Sequence, residues 1–252
     1  MRWAALLVLL ASPVQAATEE IVSGLSQSRV SINADFVGSE ILIYGAVMRS
    51  APPPDWPLVQ VIITVEGPRS PLVMRKKDHV AGIWLNRGSV LVDEAPSFYA
   101  VATTGAIHDI LSETDDLRYH ITIPHAIRAV GIASEAPDAM SYVEALQRIR
   151  LAAGQYLLAE NAVLLLQQSL FRTDVALPSD VIEGKYKVRI FLTRGKQVID
   201  VQESQIEVRK VGLERFLFNL AQEQPLLYGL ASLLLAVVAG WGASEVFRRL
   251  RI

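Results

Sequence analysis

The sequence predicts a mainly β protein: two immunoglobulin-like β-sandwich units joined by a helical section, followed by one transmembrane helix. Short segments in which apolar and polar residues alternate lie on both sides of the middle of the chain, and such segments are typical of strands with one buried face. Between them the apolar residues take a helical period. Residues 225–244 carry no charge, and a helix of that length covers a hydrocarbon layer of roughly 30 Å.

The composition excludes several classes of protein. The chain has 252 residues and a net charge of −2, and 51% of its residues are apolar, with the excess at the two ends. It contains no cysteine, which excludes disulfides, thiolate zinc sites and cysteine nucleophiles. Because the part between the ends is mildly acidic, we expect no nucleic acid partner.

The N-terminus has the three zones of a secretory signal peptide. Arg2 precedes an apolar run at residues 3–11, and Val14 and Ala16 fit the small-residue positions of a cleavage site. We therefore expect residues 1–16 to be a signal peptide that is cleaved after Ala16. An uncleaved anchor is the alternative, but an apolar helix of about nine residues covers only roughly half of a bilayer core.

Residues 17–133 are predicted to form the N-terminal β-sandwich domain. Its clearest strand is residues 59–65, whose alternating pattern predicts one buried and one exposed face. Further strands are predicted at residues 40–47, 72–75, 80–85, 89–92 and 98–103. Turn-forming residues predict that the chain reverses at residues 77–78 and 86–88, and a short helix is predicted at residues 106–111.

Residues 134–154 are predicted to be a helical connector. Pro137 lies near the first turn of the predicted helix and Gly154 lies just past its end, which are the positions that these residue types favour. Met140, Val143, Leu146 and Ile149 form its apolar stripe.

Residues 155–210 are predicted to form a small C-terminal β-sandwich unit. Strands are predicted at residues 171–177, 186–192 and 198–201, with residues 206–208 continuing toward the membrane. Residues 177–186 resemble the corner before a central strand of immunoglobulin-like sandwiches, where a tyrosine hydroxyl bonds to upstream backbone. Tyr186 is the candidate for that role.

The C-terminal region is predicted to anchor the chain. Residues 211–224 form an amphipathic juxtamembrane helix, residues 225–246 the transmembrane helix, and residues 247–252 a tail with three arginines. Arginines favour the cytoplasmic side, so we expect a single-pass protein of the bacterial inner membrane with its bulk in the periplasm. A buried core helix is the alternative, and the length, apolarity and basic flank of the segment disfavour it.

One face of the predicted transmembrane helix consists of small residues. Ser232, Ala236, Gly240 and Ser244 recur every four positions and could let another membrane helix approach closely. Because glycine and alanine are common in membrane helices in any case, ordinary composition is the alternative explanation.

No motif of a known enzyme class occurs in the chain. The four histidines lack metal-ligand spacing, and five positions apart in a strand would place His120 and His125 on opposite faces. Asp115, Asp116 and Glu113 could form a carboxylate site, but adjacent acids in a polar loop are more often solvated. We predict no catalytic residue, no metal site and no cofactor, and we expect that the protein is not an enzyme.

The most conspicuous charged patch contains Arg75, Lys76 and Lys77, followed by Trp84. Clusters of arginine and lysine bind anions, so the patch is a candidate for binding phosphate, a lipid headgroup or a partner. The alternative is the solvated end of a hairpin.

Several segments of the chain are similar to those of a known family. They are residues 66–68, 82–86, 96–101, 209–216, 225–229, 240–241 and 247–249. In these segments the chain resembles the putative transmembrane protein family of alphaproteobacteria. The resemblance implies a single-pass membrane protein and no known catalytic residues. It also implies association with a sulfite-exporter-like permease, since family members are often encoded near one.

These observations leave three hypotheses for the function. The first is an accessory or interaction subunit of an envelope or transporter system, with the lipid bilayer and another membrane or periplasmic protein as partners. The second is a periplasmic module that binds a ligand or a metal. The third is an enzyme whose site is assembled from distant residues.

Overall fold

A computed structural model describes residues 19–32, 38–50, 52, 56–80, 82–129, 139–210 and 213–250. The predicted signal peptide, residues 1–16, and Pro137 lie outside the described residues. The strands are β1 (Glu19–Leu25), β2 (Arg29–Ile32), β3 (Ser39–Arg49), β4 (Val59–Glu66), β5 (Arg69–Val80), β6 (Ile83–Pro96), β7 (Tyr99–Thr103), β8 (Tyr156–Ala159), β9 (Leu164–Leu166), β10 (Leu170–Leu177), β11 (Gly184–Arg194) and β12 (Gln197–Lys210). The helices are α1 (Ile107–Ile110), α2 (Glu113–Tyr119), α3 (Ile123–Ala126), α4 (Ala139–Ala152), α5 (Leu213–Glu223) and α6 (Pro225–Leu250).

The strands form two packed sheets and one separate hairpin. The outer sheet has the order β1-β3-β10-β9, the central sheet has the order β2-β12-β11-β4-β7-β8, and β5 pairs with β6 alone. The pairs β2 with β12 and β7 with β8 are parallel, and the other pairs are antiparallel. The mainly β fold with a C-terminal apolar helix is confirmed.

The division of the strands differs from the prediction. β4 of the predicted N-terminal sandwich pairs with β11 of the predicted C-terminal unit, and β3 pairs with β10 in the same way. The two predicted units, residues 17–133 and 155–210, therefore contribute strands to the same two sheets. Alternation along one strand shows which residues are buried, but it carries no information about which distant strand completes the sheet.

The main core lies between the outer and the central sheet. Its members come from the inward faces of both sheets and include Ile41, Ile43, Phe171, Val61, Ile63, Val188 and Ile190. Tyr186 is fully buried here, and its hydroxyl donates a hydrogen bond to the carbonyl oxygen of Ile182 at 2.9 Å. The expected hydrogen bond from the Tyr186 hydroxyl to upstream backbone is therefore present.

A second core covers the opposite face of the central sheet. Ile62, Val101 and Phe191 face it from the sheet, and they pack with residues from α1 to α4 and from the β5–β6 hairpin. β4 is consequently buried on both faces, so the expectation of a half-buried strand at residues 59–65 was wrong. The helical layer that covers its second face was only partly predicted, because α2 and α3 were not.

The β5–β6 hairpin is longer than the sequence indicated. Residues 77–78 and 86–88, which were predicted to be turns, lie inside the two strands, where Lys77 pairs with Asn86 beside a shift of register. The chain reverses next to Gly82, which has a φ of 86°. Asp78, Asn86 and Gly88 therefore lie beside a shift in the strand register and not in a turn where the chain reverses.

The C-terminal region forms two consecutive helices, α5 and α6. Within α6, Pro225–Val246 is long and apolar enough to cross a membrane, with a mean hydropathy of 1.9, and it is not buried against the described chain. A core helix of a soluble protein would be covered by other parts of the fold. This segment coincides with the predicted transmembrane helix.

Candidate interaction surfaces

The outward side of the outer sheet carries a row of exposed apolar residues. Pairing aligns Val22 of β1 with Ala46 of β3, Ala46 with Leu170 of β10, and Leu170 with Leu166 of β9. Their large neighbours on the same side are Tyr44, Met48 and Leu164. We name the six residues Val22, Tyr44, Met48, Leu164, Leu166 and Leu170 the outer apolar face.

The outer apolar face is exposed throughout. Its six side chains are between 47% and 58% accessible to solvent. Single exposed apolar residues are ordinary, but a contiguous group of this kind marks an interaction surface in most soluble folds. This face was not predicted from the sequence. The run Leu164, Leu165 and Leu166 nevertheless indicates it, because three consecutive leucines in a strand place at least one leucine on each side of the sheet.

Two glycines allow close packing on both sides of the outer sheet. The ring of Phe171 lies against Gly45, where an added Cβ would be 2.5 Å from the ring and 2.6 Å from the carbonyl oxygen of Val22. On the solvent side the ring of Tyr44 covers Gly24 of the adjacent strand, at 2.9 Å from an added Cβ. Glycine at these two positions lets aromatic rings lie on both sides of the sheet.

The predicted basic patch lies on the distal half of the β5–β6 hairpin. Arg75, Lys76 and Lys77 follow one another along β5 and are exposed. Trp84 lies on β6 with 68% of its surface exposed, and its ring meets that of His79 edge to face at 5.1 Å. The structure therefore brings the tryptophan and the basic residues onto one hairpin. This arrangement fits both interpretations of the patch, a binding site for an anion or partner and the solvated end of a hairpin.

The small residues of α6 form one exposed face. Ser232, Ala236, Gly240 and Ser244 are all solvent-exposed, and nothing lies within 4 Å of a Cβ added at Gly240. The Ser232 hydroxyl donates to the carbonyl oxygen of Tyr228 at 2.8 Å, so this hydroxyl is satisfied within the helix. The role of the face in helix packing stays a prediction.

The acidic cluster at the start of α2 is structural. Asp115 and Asp116 are 8% and 7% exposed, so the expectation that these acids are solvated was wrong. Asp115 accepts a hydrogen bond from the backbone of Val198 at 2.9 Å. Asp116 accepts from the backbone of Thr122 at 2.8 Å and lies 2.8 Å from Nδ1 of His125.

His120 and His125 line a common cavity of about 480 Å³. The prediction that they lie on opposite faces assumed a strand and was wrong, because His120 ends α2 in the left-handed conformation and His125 lies in α3. Arg69, Arg128 and Glu94 also line the cavity. Within the described ranges no group of three histidine or acidic side chains could hold a metal ion.

Comparison with known proteins yields one family and one solved structure. A family model described as "Putative transmembrane protein (Alph_Pro_TM)" matches residues 20–249, as the resemblance indicated. No curated protein matches the chain. The crystal structure of Spo0M, sporulation control protein, from Bacillus subtilis is similar at 9% identity and a TM-score of 0.30, over 82% of this chain and 55% of that chain. This chain thus spans about half of that protein, and so low a TM-score supports no argument about fold or function.

Proposed function

We infer the function from one premise: this chain belongs to the Alph_Pro_TM family of transmembrane proteins. It is a membrane-anchored protein, and α6 contains the segment that is long and apolar enough to serve as the anchor. We propose that it is an accessory or interaction subunit of an envelope or transporter system. In this proposal α6 holds the chain in the inner membrane while the β-sandwich binds another protein.

The proposed orientation puts the β-sandwich in the periplasm. Arg248 and Arg249 lie at the end of α6 and Arg251 follows them, and a basic flank favours the cytoplasmic side of a membrane helix. The signal peptide predicted at residues 1–16 supports the same orientation, because it would direct the chain that follows it across the membrane.

The outer apolar face is the observation that carries the proposal. It extends across all four strands of the outer sheet and exposes six large apolar side chains to water. On the same side of β3 and β10 the basic residue is Arg172, which pairs with Asp174 at 3.9 Å. The acidic Glu40 is also exposed on this side. A face without unpaired basic groups suits the apolar surface of a protein better than anionic lipid. The occupant that we propose is therefore a protein.

The proposed partner is a membrane or periplasmic protein. A sulfite-exporter-like permease is the specific candidate that the family resemblance implies. The basic residues and Trp84 of the β5–β6 hairpin would supply a second contact, because an exposed tryptophan beside cations suits an anionic surface on the partner.

Site-specific photocross-linking in intact bacteria tests the proposal. A photoreactive residue at Leu170, in the centre of the outer apolar face, is expected to capture one partner, and Leu166→Asp is expected to abolish the capture. The matched control is Leu158 on β8, which is 50% exposed but lies outside this face. It should capture nothing, and Leu158→Asp should leave the capture at Leu170 intact.

The identity of the captured chain decides between the outcomes. A membrane or periplasmic protein whose capture is lost in Leu166→Asp supports the proposal. Capture of a second copy of this chain would replace it with self-association, and a normally abundant, correctly inserted protein that captures nothing at Leu170 would overturn it.

A further inference from the structure

The cavity that His120 and His125 share has the chemistry of an anion site. Two arginines and two histidines line it, and the only acidic group among the described lining residues is Glu94. Leu117, Pro124 and Ile127 supply apolar wall. A volume of about 480 Å³ lies within the range of pockets that hold small organic molecules.

Arg128 is the cation best placed to meet a ligand. Its backbone is fixed to β6 by two hydrogen bonds with the backbone of Glu94, at 2.9 and 3.1 Å. Its side chain is exposed at the cavity. A guanidinium donates two parallel hydrogen bonds to a carboxylate or a phosphate, which gives orientation as well as charge.

His125 is oriented by a buried carboxylate outside the cavity. Asp116 receives hydrogen bonds from the backbone of Ile121 at 3.1 Å and of Thr122 at 2.8 Å, and from the Thr122 hydroxyl at 2.7 Å. The fourth partner is Nδ1 of His125 at 2.8 Å. Because Asp116 occupies Nδ1, the nitrogen that remains for a ligand is Nε2. A carboxylate that accepts this many hydrogen bonds holds the ring in one orientation.

His120 is held in a backbone conformation that non-glycine residues seldom adopt, with a φ of 51°. The carbonyl oxygen of His120 accepts hydrogen bonds from the Arg189 guanidinium and from the Tyr99 hydroxyl, both at 3.1 Å. These two hydrogen bonds hold in place the residue that caps the C-terminus of α2. Arg69, by contrast, already pairs with Glu66 and adds little free charge.

We propose that this cavity binds a small organic anion, with a phosphate or carboxylate group on Arg128 and His125 and an apolar body against Leu117, Pro124 and Ile127. The site lies in the second core layer, away from the outer sheet. It is therefore separate from the outer apolar face.

Binding of phenyl phosphate to the full-length protein in nonionic detergent tests the assignment. Calorimetry is expected to show saturable binding in the millimolar range or tighter, with benzylammonium not binding. Arg128→Gln is expected to weaken binding about tenfold or more, because the charge-assisted hydrogen bonds from the guanidinium to the anion are lost. His125→Gln should also weaken it. Arg118→Gln, which removes another exposed arginine that lies in α2 and does not line the cavity, should leave binding unchanged.

Two results would overturn the assignment. One is the absence of saturable phenyl phosphate binding by a protein that melts cooperatively. The other is binding that Arg128→Gln and His125→Gln leave intact. Inorganic phosphate, measured in parallel, should bind more weakly than phenyl phosphate. Equal affinity for the two would show that the apolar residues of the cavity do not contribute to binding. The photocross-link at Leu170 should persist in Arg128→Gln, so the two proposals can fail separately.

Discussion

The Tyr186 hydroxyl donates a hydrogen bond to the carbonyl oxygen of Ile182, 2.9 Å away and four residues earlier in the chain. This bond fastens the loop between β10 and β11 to the start of β11. The ring of Tyr186 is fully buried in the main core and lies 6.3 Å from the ring of Phe98. One side chain therefore joins the core to the loop that connects the two sheets.

Replacing Tyr186 with phenylalanine should destabilise the fold by about 1 kcal/mol, since the ring still fills the core but one intramolecular hydrogen bond is lost. Urea unfolding of the full-length protein in detergent, monitored by far-ultraviolet circular dichroism, measures the change. Tyr44→Phe is the control, because Tyr44 lies on the exposed outer apolar face. A Tyr186→Phe protein as stable as the wild type would show that this bond adds nothing to the fold.

Gly45→Ala should destabilise the sandwich by about 1–3 kcal/mol, the usual cost of overpacking. The added methyl group would be 2.5 Å from the Phe171 ring and 2.6 Å from the carbonyl oxygen of Val22, so the outer sheet must shift. Gly24→Ala is the matched control, because the three atoms nearest to the added methyl group all belong to the exposed ring of Tyr44, which can move. Thermal unfolding should rank the wild type and Gly24→Ala above Gly45→Ala, and the reverse order would contradict this packing.

The inward and outward assignments of single strands were predictable from the sequence. β10 is buried at every second residue from Phe171 to Leu177, as its alternation indicated, because successive side chains in a strand point to opposite faces. The union of both predicted units into one sandwich was not predictable, since strand pairing depends on contacts between distant segments. The same limit applies to the cavity that His120 and His125 share. The prediction that they lie on opposite faces assumed that both belong to one strand, whereas in the structure His120 ends α2 and His125 lies in α3.

The buried tyrosines predict a loss of stability at high pH. Burial raises the pKa of Tyr99 to about 12 from an ordinary value of 10. Since the unfolded chain releases this proton at lower pH than the folded chain does, the stabilisation is fully present below pH 10 and is lost as the pH rises from 10 to 12.

Tyr99→Phe should reduce this pH dependence. Between pH 8 and pH 11 the free energy of unfolding of the wild type should fall by about 1.4 kcal/mol more than that of Tyr99→Phe. The reason is that pH 11 lies one pH unit above the pKa of an unfolded tyrosine but still below the pKa of Tyr99 in the folded chain. Chemical unfolding at the two pH values measures the difference. Identical pH dependence in the two proteins would show that the Tyr99 hydroxyl ionises as it does in water.

A charge in the middle of α6 should release the protein from the membrane. Leu234 is 67% exposed near the centre of Pro225–Val246, and arginine at the middle of a membrane helix costs about 2.5–3.5 kcal/mol of insertion free energy. Leu234→Arg should therefore shift part of the protein into the supernatant after alkaline carbonate extraction of vesicles, whereas the wild type stays in the pellet. Leu217→Arg places the same charge at a 42% exposed position of α5, outside this segment, and should leave the protein in the pellet. Among the described helices only α6 is long and apolar enough to anchor the protein in a membrane. Extraction of the wild type by carbonate would therefore contradict the role of α6 as an integral anchor.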